Sequence, residues 1–122
     1  MLFNPDRVGG LPVTEGPSGP RANAPQPFGT VKNSDHGAVD LLALSAVNDI
    51  EEFWHEHYAK YLPGEFEPVA GLLSYNSEDP DSPTVCLNDT YGLVNAMYCL
   101  LSDVIAWDRG VLVPVAIKYF GE

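Results

Sequence analysis

The stretch that most constrains this fold runs from Asn95 to Asp108, where two runs of β-forming residues, a cysteine and a short polar interruption share fourteen positions. The β-formers cluster in residues 95–99 and 104–107, and Ser102 with Asp103 can supply the turn between them. The spacing predicts a hairpin around which the rest of the chain packs.

Ahead of it, apolar residues recur at helical spacing from about Gly37 to Lys60. They are Val39, Leu42, Ala43, Ala46, Val47, Ile50, Phe53, Trp54, Tyr58 and Tyr61. Ser34 or Asp35 can cap this helix, and Pro63-Gly64 ends it. Asp40, Asn48, Asp49, Glu51, Glu52 and Glu56 fall mostly on the opposite, polar face. Residues 68–75 read as a strand entered through Pro68. An acidic, proline-broken loop comes next over 77–83, then a short strand over 84–87 and a turn over 88–92. After the hairpin, Asp108 as a cap and Gly121 as a terminator frame a short helix, with Pro114 near its first turns. The expected class is α+β: a long N-terminal helix packed on a small, mainly antiparallel sheet of three or four strands, with a short C-terminal helix.

Residues 1–36 stand apart. They hold six of the eleven prolines and five of the eleven glycines, with too few large apolar groups to offset the entropy of ordering. They read as a Pro/Gly-rich tether or extended arm, broken at Gly9-Gly10, at residues 17–20 and at residues 25–27, with ordered extended chain over the domain surface as the alternative. Residues 37–122 form the folded unit.

The net charge of −11, with only six Lys and Arg among 122 residues, argues against nucleic acid and against an anionic membrane surface. No apolar run reaches the ~20 residues of a spanning helix, so direct membrane insertion of this segment is not expected.

Several patterns suggest chemistry and lose to plainer readings. In His55-Glu56-His57 the imidazoles are two residues apart, about 200° round a helix, and cannot share one ion. A site pairing Glu51 or Glu52 with His55 has the right helical spacing, but a solvated polar face explains these residues. Glu78, Asp79 and Asp81 lack the spacing and glycine of a calcium loop. Asn88-Asp89-Thr90 fits a glycosylation pattern that is common by chance. No nucleophile elbow, phosphate loop or oriented Cys/His pair occurs. No residue is assigned a catalytic or metal-ligating role.

Cys86 and Cys99 are the only cysteines. Spacing alone leaves two readings open, a bridge or two buried thiols in a reducing compartment. Asn95 to Cys99 is similarly open between an exposed edge strand and an interior strand of a small sheet.

A family resemblance bears on both. Asn95-Ala96-Met97-Tyr98-Cys99, the strand end Ile105-Ala106-Trp107-Asp108-Arg109 and the helix closing on Tyr119-Phe120-Gly121 resemble the region just upstream of the zinc site in the neutral zinc metallopeptidases of actinobacteria and related bacteria. Residues 40–54, with Ala46 to Trp54 as core, resemble that family's first helix. Cys86 sits where the family has the first of two paired cysteines. The likeness spans roughly residues 37–122, and the family's His-Glu-x-x-His helix is not among them.

The resemblance implies the upper half of a zincin-like fold and a Cys86–Cys99 disulfide. It also implies an extracytoplasmic, secreted or cell-envelope setting, with the targeting segment absent from this chain. Zinc would belong to the parent enzyme, with none expected here. The strand beginning at Asn95 would carry substrate: Asn95 and Ala96 would face the backbone of a peptide or protein substrate, and Met97 stands where an aromatic is usual. The chain would then be the substrate-binding and structural portion of a metallopeptidase, or else a truncated relative acting as a peptide- or protein-binding module. Its expected partners are the substrate and either a second copy or the missing catalytic half.

Overall fold

The computed structural model describes residues 7–8, 11–12 and 22–122, so part of the proline-rich arm, including Gly9-Gly10 and residues 17–20, lies outside the described residues. The elements are β1 (Arg7–Val8), β2 (Leu11–Pro12), β3 (Val31–Lys32), α1 (Ala38–Tyr61), β4 (Gly71–Tyr75), β5 (Thr84–Val85), β6 (Asn88–Asp89), β7 (Ala96–Cys99), β8 (Val104–Asp108) and α2 (Leu112–Phe120). The class is α+β, two helices around one four-stranded sheet of order β3-β4-β8-β7.

That sheet is mixed, a correction to the mainly antiparallel sheet expected. β3 runs parallel to β4 and β4 parallel to β8, and only β7–β8 is antiparallel. The reason lies in the connections. Parallel neighbours need a long crossover, and this chain has two: α1 carries β3 to β4, and residues 76–103 carry β4 to β8. Composition places Val31–Lys32 in the arm, whereas the structure makes them an edge of the sheet. The arm's last residues are also anchored, since the Asn48 side-chain amide bonds both the N–H and the C=O of Phe28, each at 3.0 Å.

The hairpin forms with Ala96 opposite Trp107 and Cys99 opposite Val104. Its turn places Asp103 at φ 54°, a left-handed conformation that aspartate tolerates better than most residues. α1 begins at Gly37 with no side-chain cap. Asp35 instead accepts the Gly37 N–H and Ser34 the His36 N–H, so both expected caps serve the turn just before the helix. It ends as expected, because Pro63 pushes Leu62 to φ −131°, ψ 152°. In α2, Pro114 lies in the first turn, where a backbone N–H has no intrahelical acceptor anyway.

Each sheet face has its own apolar cluster, as the twofold alternation of side chains requires. On one face Leu72 and Trp107 pack with Leu44 of α1, joined by Val31, Val47, Ile105 and Val113. On the other, Tyr75 and Ala106 pack with Val85 of the β5–β6 hairpin, with Leu73, Cys86 and Met97 around them. The packed face of α1 is thus set by Asp40, Leu44 and Val47. This corrects the sequence reading, which leaves Leu44 out of the apolar stripe and puts Asp40 on the polar face. Ile50, assigned to that stripe, is 58% exposed.

Candidate functional site

β7 is the terminal strand of the sheet, and no strand among the described residues pairs with its outer side. Its register fixes which backbone groups face out. The Asp108 N–H donates to the Asn95 carbonyl at 3.1 Å, which makes Ala96–Trp107 and Tyr98–Ile105 the non-hydrogen-bonded pairs of the ladder. Met97 and Cys99 therefore bond inward to β8. Ala96 and Tyr98 turn their N–H and C=O outward. The Ala96 N–H is covered by the Asn95 side-chain carbonyl at 2.8 Å, so the groups left for pairing are the Ala96 C=O and both groups of Tyr98.

Of the three residues assigned to substrate, Ala96 thus offers main chain to the open edge. Asn95 turns its own carbonyl inward and lays its side chain along the edge, while Met97 spends its main chain on β8 and its side chain on the core. Tyr98, missed by sequence reasoning, is the second outward residue. Its ring is half exposed and its hydroxyl donates to Asp103 Oδ1 at 2.8 Å. That bond to a carboxylate, with some burial and the Asp103 charge, raises the phenol above its ordinary range.

The start of β7 is held from beneath. Tyr75 is fully buried, and its hydroxyl faces the carbonyls of Leu93 at 3.0 Å and Asn95 at 2.8 Å. Burial and the nearby Asp108 charge raise its pKa. The far end is stapled by the Cys86–Cys99 disulfide, Cα–Cα 5.5 Å. This bridge fixes the β5–β6 hairpin against the last residue of β7. The two-residue turn of that hairpin is Cys86-Leu87 itself, both with positive φ, 52° and 67°. This corrects the expected strand through Leu87 with its turn at residues 88–92. A type I′ turn made of Cys and Leu, where Asn-Gly would be usual, leaves no signal in the sequence.

Asp108 ends β8 and organises the start of α2. Its Oδ1 accepts the Ser77 and Gly110 N–H groups at 3.0 and 2.9 Å. Its Oδ2 accepts the Ser77 hydroxyl at 2.8 Å and the N–H groups of Val111 and Leu112 at 3.3 and 3.1 Å. This is the capping role expected for it, delivered from just outside α2. Burial alone would raise its pKa, but the Ser77, Leu112 and Gly110 bonds outweigh that and hold the carboxyl below its ordinary value.

A second buried carboxylate carries no signal in the sequence pattern. Asp40 is 3% exposed, and it accepts from Ser34 Oγ at 2.7 Å, Ser74 Oγ at 2.7 Å and Trp107 Nε1 at 2.8 Å. Arg109 extends the chain of donors, with Nη1 giving to Ser74 Oγ at 2.9 Å and to the Asn33 carbonyl at 2.7 Å. The network joins α1, β4, β8 and the β3 edge.

Among the described residues no three His, Cys, Asp or Glu side chains are grouped to hold a metal ion. His57 packs against Phe53 and Tyr61, His55 lies edge-on to Phe66, and both cysteines are in the disulfide. Glu51, Glu52 and His55 do border one cavity of about 420 Å³, between residues 24–28 and α1. In comparison with known proteins, the chain matches no family model, no curated protein and no solved structure.

Proposed function

We propose that this chain is the substrate-binding part of a secreted or cell-envelope zinc metallopeptidase, holding an extended peptide by main-chain pairing along β7. The observation that carries the proposal is the open outer side of β7, with Ala96 and Tyr98 turned toward it. An exposed strand with unpaired main-chain groups is a template for strand addition. The strand in question is also the one whose residues carry the family resemblance, and the Cys86–Cys99 bridge beside it suits an oxidising compartment.

Peptide hydrolysis by zinc needs a ligand set and a carboxylate base. Among the described residues no such ligand set is grouped, and no catalytic step is assigned to them. In the parent enzyme the metal would sit on a His-Glu-x-x-His helix that these 122 residues do not contain. The part played here is to position the substrate strand. The apolar side of α2, with Val115, Tyr119 and Phe120 exposed, is where the catalytic half or a second copy would pack.

Because the edge needs no metal to bind, a non-catalytic peptide- or protein-binding module is the alternative. Both readings share one test. Replacing Tyr98 by Pro removes an outward N–H at an edge position that tolerates proline. Peptide affinity measured by calorimetry should fall at least about tenfold, with the circular dichroism spectrum unchanged. Undiminished binding by Tyr98→Pro would show that the edge is not the site. Adding zinc should leave the affinity of this chain unaltered.

A further inference from the structure

Resting on the strand-addition reading, we infer that the segment paired to β7 is cationic, an extended peptide bearing Lys or Arg at alternate positions. Between Lys60 and Arg109 the sequence has no lysine, arginine or histidine, but eight carboxylates. Those residues build β4 to β8, including the whole open edge and both loops that frame it. Asp108 is buried in its capping role. Glu65, Glu67, Glu78, Asp79, Asp81 and Asp89 are exposed.

Carboxylates stand at both ends of the edge. Glu78, Asp79 and Asp81 occupy the loop tied to the approach to β7 by the Gly92 N–H to Ser77 carbonyl bond at 2.7 Å. At the other end Asp103 accepts the Ala70 N–H at 3.0 Å, and the β5–β6 hairpin, whose last strand residue is Asp89, is stapled to Cys99.

The cations of the described sheet and of α2 are elsewhere. Lys32 is on β3, the opposite edge of the sheet. Arg109 is engaged with Asn33, Ser74 and Asp35. Lys118 lies over the Tyr119 ring in α2. The sheet is therefore polarised from one edge to the other. Among the described residues, β7 and its framing loops present one sign of charge, which steers basic segments toward the edge and disfavours acidic ones.

The test is calorimetric titration of the full chain with three peptides of equal length, alternating Thr with Lys, with Gln or with Glu. The Lys peptide should bind about tenfold more tightly than the Gln peptide at about 0.01 M salt, and within about threefold of it at about 0.3 M, where the Debye length is shorter than the spacing of these charges. The triple variant Glu78→Gln, Asp81→Asn, Asp89→Asn should lose most of that preference and keep its affinity for the Gln peptide. Equal affinity for the Lys and Gln peptides at low salt, or tighter binding of the Glu peptide, would overturn the charge inference and leave strand addition standing. A Lys peptide N-methylated at alternate amides that binds as well as its parent would overturn strand addition itself, and absence of binding by any of the three would overturn both.

Discussion

At the scale of single residues, two buried aspartates do most to define this molecule. Asp40 collects three donors, from β4, β8 and the loop before α1, so its removal leaves two hydroxyls and an indole N–H without that acceptor inside the protein. Each such orphan costs about 1–3 kcal/mol, and Asp40→Ala should lower the unfolding free energy by about 3 kcal/mol or more in urea titrations. Trp107 fluorescence should shift as its indole loses the acceptor. Asp108 behaves differently because its carboxyl is held below the ordinary value by hydrogen bonds. A depressed native pKa stabilises the fold fully above the unfolded aspartate value of about 4, and that contribution is lost as pH falls through the lower native value. Stability should therefore be flat from neutral pH down to about 5 and fall on further acidification. In Asp108→Asn the acid limb should be shallower, with about 2 kcal/mol lost already at pH 7. A limb unchanged in the variant would assign the acid sensitivity to other carboxylates. Close packing beside Asp108 adds a steric constraint, because a Cβ on Gly110 would run into Asn76 Oδ1.

At the scale of elements, the sequence reveals what depends on neighbours in the chain. The β7–β8 hairpin, α1 and α2 each carry their own periodicity and stop signals, and each lies within a few residues of its expected bounds. β3, β5 and β6 are two residues long, too short to alternate; β3 is a strand only because the distant β4 pairs with it, and β5 and β6 only because they pair with each other across a turn that the sequence does not signal. For the same reason the parallel order of the sheet is not readable, nor is the face on which α1 packs, since Asp40 counts as polar in any periodicity although it is buried by its three donors. The candidate site is half legible: Ala96 comes from the motif, whereas Tyr98 depends on the hydrogen-bond phase of the ladder. The disulfide is present as the family resemblance implies, and it closes a turn with unfavourable backbone at two residues. Leu87 is 87% exposed at φ 67°, so it gives up left-handed strain of about 1 kcal/mol with little packing in return. Leu87→Asn should raise the urea midpoint by the equivalent of about 0.5–1 kcal/mol. A lowered midpoint would mean that Leu87 packs against the fold in solution.

At the scale of the whole molecule, the covering of the sheet is uneven. α1 extends about 36 Å at 1.5 Å per residue, whereas five-residue strands extend about 17 Å, so only its first half can lie over the sheet. Its second half carries Phe53, Trp54 and Tyr58, which pack with one another and with Phe66. At the other end α2 has no buried residue although it is made almost wholly of apolar side chains. Val113 reaches the core cluster, while Tyr119 and Phe120 are 72% and 90% exposed. Under the proposed function, these open apolar groups are the surface on which the catalytic half or a second copy would pack. The charge of the molecule opposes close approach of copies, but screening by salt removes that opposition while leaving apolar contact intact. Sedimentation of this chain should accordingly show association that strengthens with salt, the reverse of what ion pairing would give. Tyr119→Lys with Phe120→Lys should restore a monomer at all salt concentrations and leave the unfolding free energy within about 0.5 kcal/mol, as expected for surface positions. If the double variant unfolds markedly more easily, these rings pack inside each copy, and the covering surface must be sought on the second half of α1.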